Sequence, residues 1–382
     1  MPFASALSEH PIAALATGEV SGAVLEAIGE RPDLVAVFAT RPHAGALEDI
    51  VGTVSAVLHP LALIGCAAES VVGTGREVEE TPAVSLWAGR VGPLAPVALT
   101  ASRLGDDSWE FDGWPGRLGF EPSALVLLAD PFTFPAEHFL AWLDEVRPGL
   151  PVIGGNASGG RGPGGSRLAI GDTVVASGAT GVLLGAGVGI ETLVSQGCRP
   201  YGNPLTVTRS DRNVVYEVAG VPAMECLVDQ IKDNLGPVDV AGIESNGLFM
   251  GRLIDEHTED PGPGDYLIRS VVGVDRSTGA VAVDDRVPLG STVCFHLRDA
   301  ETADTELGLL LRGRQAGGGL MFTCNGRGTR LFDDADHDAR ALAHSVGPAP
   351  VGGFFAAGEF GPIGGRNFVH AFTASAALFH DR

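Results

Sequence analysis

The chain concentrates its chemistry in Gly317 to Phe332, GGGLMFTCNGRGTRLF, which sets one thiol and one guanidinium in a glycine turn. Leu320 to Thr323 reads as a buried strand, and Cys324-Asn325-Gly326-Arg327-Gly328 as the tight turn that ends it. Glycine takes positive φ at little steric cost, and asparagine tolerates it better than most residues. Such a turn leaves backbone N–H groups unpaired at a strand end, where they and Arg327 would stabilise a thiolate on Cys324. A second glycine turn, Gly358 to Gly365, follows the apolar run Phe354 to Ala357. If the two runs are parallel neighbours, both turns emerge at one sheet edge, where open α/β sheets place their ligands. Arg327 would then offer a planar fork to a carboxylate and Glu359 an anionic partner to an ammonium. Arg366, Asn367 and His370 would line the rim. The expected ligand-binding set is therefore Cys324, Asn325, Gly326, Arg327, Gly328, Gly358, Glu359, Arg366, Asn367 and His370. The plainer outcome is an Arg327–Glu359 pair that pins two loops together.

Other chemistry is weakly encoded. There is no G-x-S-x-G elbow and no G-x-x-x-x-G-K-[ST] loop, and Ser158 in GNASGG has no evident base partner. Gly185-Ala-Gly187-Val-Gly189 lacks the G-x-G-x-x-G spacing and runs into strand-like sequence, which argues against a dinucleotide fingerprint. Cys294 and His296 alternate on one strand as a thiol–imidazole pair would, although an ordinary buried cysteine beside an unrelated histidine is the simpler reading. Asp333, Asp334, Asp336, His337 and Asp338 match no EF-hand spacing and read as the acidic start of a helix. Cys324 has no acid–base partner in its local sequence, so a nucleophilic enzyme is the rival reading. His370 is a candidate haem ligand, but no C-x-x-C-H is present and no cofactor is expected.

The elements that position these residues follow from apolar patterning. Leu34 to Ala39, a helix over Leu47 to Leu58, and Leu61 to Ile64 form a strand–helix–strand order that implies a parallel pair. Ala124 to Ala129 and the helix Phe139 to Val146 lead to the strand Pro151 to Ile153. Gly154 to Gly165 is too glycine-rich for a helix or a central strand, which leaves a linker or a loop wrapped on a ligand, with composition favouring the linker. Strands dominate from Thr173 to Val218. Helices are expected over Pro222 to Ile231, Asp299 to Arg312 and 335 to 345, and a closing run over Phe368 to Phe379. The expected fold class is mixed α/β, with sheets covered by helices in two related domains, 1–198 and 199–382. The pattern breaks at Gly197 to Pro204, and a shared coarse layout hints at duplication.

Bulk composition narrows the function classes. The chain has 382 residues, 45% hydrophobic and 19% charged, a globular composition. A net charge of −22 disfavours nucleic acid and anionic membrane surfaces as partners. Five scattered cysteines without a C-x-x-C argue against a zinc knuckle or a disulfide framework. The start, MPFASALSEHP, has no basic n-region and no long apolar run, so a cytoplasmic location is expected.

Several motifs in order, SQGCRPYGNPLTVT, VPAMECL, DYLIRSVVGVD, FHLRDAETA, LMFTCNGRGTRLF and GFFAAGEFGPIGGRNFVHAFTASAALF, resemble the FIST family. The turns GCAAES and GGNASGG resemble those of its N-terminal half. The resemblance covers about residues 5 to 380. It implies a small-ligand-binding sensory module of two domains, with amino acids as a ligand class, and haem-based nitric oxide sensing in some members. The sequence of this family fills the chain without an output domain, so the expected partners are a small-molecule ligand and a separate signalling protein, or further copies of the chain in a homo-oligomer.

Overall fold

The computed structural model describes residues 2–105, 108–187, 189–262 and 264–380. The chain forms two compact units: unit 1 is Met1–Val194 with Leu307–Arg382, and unit 2 is Ser195–Glu306. The expected division at residue 198 lies four residues beyond the first junction, and the chain from Leu307 onward belongs with the N-terminal part.

Unit 1 runs through one pattern three times: an edge strand, a strand–helix–strand crossover, a short hairpin and a returning strand. The first repeat is β1 (Phe3–Ser8), α1 (Ala13–Ile28), β2 (Leu34–Thr40), α2 (Leu47–Leu58), β3 (Ala62–Ala68), the hairpin β4 (Ser70–Gly73) and β5 (Arg76–Glu79), then β6 (Val84–Gly89). The second is β7 (Leu94–Arg103), β8 (Trp109–Asp112), β9 (Pro122–Ala129), α3 (Ala136–Val146), β10 (Val152–Asn156), the hairpin β11 (Leu168–Ile170) and β12 (Thr173–Val175), then β13 (Ala179–Gly185). The third opens with β14 (Gly189–Ser195) and is interrupted by unit 2. That insertion carries β15 (Cys198–Asp211), β16 (Val214–Val218), β17 (Val221–Pro222), α4 (Ala223–Asn234), α5 (Pro237–Asn246), β18 (Phe249–Leu253), β19 (Tyr266–Asp275), β20 (Ala280–Val283) and β21 (Thr292–Arg298). The repeat resumes through α6 (Ala300–Leu311), β22 (Gly318–Cys324), α7 (His337–Val346), β23 (Val351–Ala356), the hairpin β24 (Glu359–Ile363) and β25 (Arg366–His370), and β26 (Ala374–His380).

Each crossover joins a parallel pair: β2 with β3, β9 with β10 and β22 with β23. Each hairpin, however, leaves its own repeat. β11 pairs with β3, β24 with β10 and β4 with β23, all antiparallel. The result is three sheets of one strand order: β1-β6-β2-β3-β11-β12, β7-β13-β9-β10-β24-β25 and β14-β26-β22-β23-β4-β5, with β8 added at the β7 edge. The exchange is cyclic, so no repeat completes its sheet alone.

Strand alternation gives each sheet two buried faces, as expected of parallel strands covered on both sides. Phe38, Leu128 and Phe322 hold equivalent positions on the face that meets the other two sheets, in one central core. The opposite faces are covered by helices. α1 and α2 pack on the first sheet through Val20, Val24, Ile50 and Val54. α3 packs on the second through Phe139 and Leu143. On the third, Leu307 and Leu311 of α6 join Leu342 of α7.

Gly154 to Asn156 corrects the sequence reading. They are not linker but the end of β10, a central strand between β9 and β24. At Gly154, φ is +140° and a Cβ would lie 1.9 Å from the Leu127 carbonyl oxygen, so only glycine lets the neighbouring strand approach. The expected repetition is present but threefold, within unit 1, rather than between two halves.

Unit 2 has another architecture. Its strands pair antiparallel in the order β15-β21-β18-β19-β20-β16, and β16 returns to β15, closing a barrel. Val215, Val281, Val293 and Phe295 fill its core. Among the described residues no helix is long and apolar enough to cross a membrane.

Candidate functional site

β22 and β23 are parallel neighbours, with Cys324 opposite Ala356, so the two strands end at one sheet edge. The expected second turn, Gly358 to Gly365, is not a turn at that edge: Glu359–Ile363 forms the strand β24, which leaves for β10 of another sheet. The same edge is where the three repeats of unit 1 meet. The Ser158 hydroxyl, from the second repeat, accepts the Glu69 N–H at 2.8 Å and donates to the Phe355 carbonyl at 2.5 Å. Asn156 N–H donates to Gly358 O at 2.8 Å, and Ala357 N–H to Asn156 O at 3.0 Å. Arg41 reaches Glu69 and the Ser158 and Gly159 carbonyls. Arg330 donates to Asn325 O at 3.0 Å and also holds Glu69 and Glu80.

Glu359 lies at the centre of this junction with no solvent exposure. Its Oε2 accepts the Thr373 N–H at 3.1 Å. Burial pushes its carboxyl up to about 8, against the opposing pull of the Thr373 N–H, the Cys324 thiol, the Arg327 charge and the Gly358 N–H. The group is therefore a neutral acid near pH 7. Among the described residues, three buried side-chain oxygens around this turn have no hydrogen-bond partner: Asn156 Oδ1, Asn325 Oδ1 and Glu359 Oε1. Buried polar atoms are rarely left so.

Cys324 stands beside Glu359 but is nearly covered, at 9% exposure. Its N–H donates to Thr373 O at 2.9 Å, and its Sγ accepts the Gly326 N–H at 3.5 Å. Gly328 takes φ of +57°, and a Cβ there would lie 2.7 Å from Glu79 Oε1 and 2.8 Å from the Phe355 ring.

Arg327 has a partner that its local sequence does not announce. Its guanidinium is fully buried, and its charge also acts on Glu359. Nε and Nη2 donate to the two Asp338 oxygens at 2.6 and 2.8 Å, and its charge lies 5.2 Å from the centre of the Phe332 ring. Burial opposes the Asp338 charge, but Arg327 outweighs it and holds that carboxyl well below the usual range. Glu77 of the exchanged hairpin joins from the other side, accepting the Ala339 N–H at 3.0 Å. Burial and the Asp338 charge push Glu77 up to about 8.

Arg366 and Asn367 leave the set. They sit at the far end of the β24–β25 hairpin, where Ile363 pairs with Arg366, about 13 Å along the strand from Glu359. Arg366 is exposed over Phe368. Asn367 ties the hairpin to α3 and β10 through Asp144, Leu150 O and Val152 N–H. His370 pairs opposite Glu359, but its Nε2 bonds the Gly361 carbonyl at 3.0 Å. The acidic run 333–338 forms no metal group among the described residues; Asp336 accepts the Glu77 N–H and Asp338 serves Arg327. In unit 2, His296 bonds the Cys294 carbonyl, not its thiol, and burial lowers it to about 4.

Sequence reasoning missed Arg41, Glu69, Asn156, Ser158 and Arg330. The signal that could have found Glu69, Asn156 and Ser158 is the recurrence of a small-residue turn after each crossover, GCAAES, GGNASGG and AAGE; Arg41 and Arg330 lie outside those turns. Two clefts lie away from the junction, one of about 440 Å³ near Glu121 and Arg147 and one of about 330 Å³ near Arg212 and Arg286.

The FIST N domain family model matches residues 33–221 and the FIST C domain model residues 223–362. The chain belongs to the FIST family. Its FIST N and FIST C parts meet inside unit 2, so the family's division does not coincide with the compact units. An uncharacterized protein of Mycobacterium bovis is 40% identical over 367 residues, covering 93% of this chain and 92% of the relative. An uncharacterized protein of Mycobacterium tuberculosis is 40% identical over 366 residues, covering 93% of each. FIST membership carries a sensory, signalling role. The Glu359 junction is built from both FIST parts, since Asn156 and Ser158 lie in FIST N and Cys324, Asn325 and Glu359 in FIST C.

Proposed function

We propose that this FIST protein is a non-catalytic sensor that binds a small amino-acid-like ligand at the junction of the three repeats. The observation that carries the reading is the set of three buried side-chain oxygens, Asn156 Oδ1, Asn325 Oδ1 and Glu359 Oε1, without a hydrogen-bond partner among the described residues. An ammonium group supplies three N–H donors and meets that demand. With Arg327 committed to Asp338, the carboxylate end of the ligand falls to Arg41 and Arg330, the partly exposed cations at the same edge. Occupancy passes to a separate cytoplasmic partner or alters self-association. Native mass spectrometry of protein purified without added ligand tests this. A retained small mass that disappears in Asn156→Ala supports the reading; a retained mass indifferent to that change contradicts it. An absorption scan of the same sample is expected to lack a Soret band.

A second reading, a thiol nucleophile, draws on one observation: the Glu359 carboxyl beside Cys324 supplies the acid–base partner absent from the local sequence. Formation of a covalent adduct on Cys324 during turnover of a thioester or ester panel would favour it.

A further inference from the structure

The three repeats of unit 1 act as internal controls for one another. Thr40, Asp130 and Cys324 are equivalent, because each donates its N–H to the carbonyl that opens the returning strand, at Ala83, Gly178 and Thr373. One register then runs through all three sheets. Cys66 faces Leu168, Gly155 faces Glu359 and Phe354 faces Val71 across the exchanged hairpins. Val71, Leu168 and Glu359 therefore occupy a single position, and all three have no solvent exposure. Their next neighbours Val72, Ala169 and Phe360 are all apolar and buried. Two repeats fill the position with an aliphatic side chain in the central core. The third places a carboxyl there.

The same repeat departs at a second, linked place. In the first repeat the Ala83 N–H is received by the Thr40 hydroxyl at 2.8 Å. In the second the Gly178 N–H is received by Thr133 at 3.0 Å, itself bonded to Asp130. In the third the equivalent Thr373 N–H goes to Glu359, while Cys324 stands where Thr40 would. The fold thus has a hydroxyl-and-aliphatic solution available, used once in this same chain, and the third repeat does not use it.

We infer that Cys324 and Glu359 are held in the third repeat for ligand recognition rather than for the fold, with Glu359 the residue that receives the donor group of the ligand. The inference rests on the ligand-binding reading of this junction and names the side chain on which it turns. A buried acid without a full set of partners costs stability, and such costs are kept where a site needs them. Burial favours the protonated carboxyl, and a cationic donor arriving beside it would favour its ionisation.

The test is the double variant Cys324→Thr/Glu359→Val, which writes the first repeat's solution into the third. Melting is followed with and without each proteinogenic amino acid at millimolar concentration, and retained mass is read by native mass spectrometry; Asn156→Ala is measured alongside. The double variant is expected to melt at or above the wild type, and to lose any retained mass and at least tenfold in affinity for amino acids that stabilise the wild type. A double variant that melts well below the wild type makes the carboxyl structural and overturns the inference. One that melts normally and still binds overturns it too, while loss of binding in Asn156→Ala would leave the junction itself as the site. A wild type that carries no mass and responds to no amino acid removes the ligand reading, and this assignment with it.

Discussion

Arg327 and Asp338 hold each other through two hydrogen bonds, of 2.6 and 2.8 Å, with neither side chain exposed to solvent. The pair joins the turn after β22 to the start of α7. Breaking a buried pair from one side leaves a charge without its partner and costs about 3–5 kcal/mol, whereas replacing both by apolar residues costs far less. Asp338→Ala and Arg327→Ala should each lower unfolding free energy on that scale in urea titrations. Arg327→Met/Asp338→Leu should recover most of the loss. If each single change is neutral, the pair is not what holds this turn.

Two carboxyls give the fold an unusual pH dependence. Glu77 and Glu359 are raised from the ordinary 4.5 to about 8, so between those values the folded chain binds protons that the unfolded chain has lost. Stability must therefore fall as pH rises through that window, by up to about 1.4 kcal/mol per pH unit for each group, and level off above it. Asp338 acts in the opposite sense, losing its contribution only in strong acid. Melting temperature is expected to peak in mild acid, and Glu77→Gln with Glu359→Gln should flatten the alkaline side. A flat profile from pH 5 to 8 in the wild type contradicts the burial of these carboxyls.

Gly154→Ala should be among the most damaging small changes in unit 1. The added Cβ meets the Leu127 carbonyl at 1.9 Å, and φ of +140° is strained for any other residue. A loss above about 3 kcal/mol, or failure to fold, is expected. Gly162→Ala opens onto empty space and should change little. Equal stability of the two variants would contradict the central placement of β10.

Cys226 on α4 should react first with iodoacetamide. It is half-buried, whereas Cys66, Cys198, Cys294 and Cys324 are buried. Cys324, whose thiolate the glycine turn was expected to stabilise, is nearly covered beside Glu359. Peptide mapping after brief labelling decides between the two, and preferential labelling of Cys324 would mean that the junction opens.

Much of the fold was legible because its signals are local. The apolar runs at Leu34 and Ala124 and the helical faces at Ile50 and Phe139 marked strands and helices of the crossovers, while the parallel pairing of β22 with β23, which the sequence offered only as a condition, is observed. What could not be read is carried by contacts distant in sequence. Val71 meets Phe354, and Gly155 meets Glu359, through short ladders with nothing in the local pattern to announce them. Gly154 to Asn156 looked like linker because glycine weakens a strand except where another backbone must come close. Asp338 read as a helix-start acid, and nothing local revealed that it would claim Arg327. The repetition was legible only as a hinted duplication of two halves, because equivalent positions share a place in the core rather than a residue type, as Val71, Leu168 and Glu359 illustrate.

Hydrogen exchange, followed by mass spectrometry with and without a small-molecule extract rich in amino acids, tests the location of the ligand most directly. A ligand at the junction should slow exchange together in four stretches far apart in sequence: 67–70, 156–160, 324–330 and 356–360. Protection confined to the cleft at Glu121 and Arg147, or to unit 2, would contradict the account.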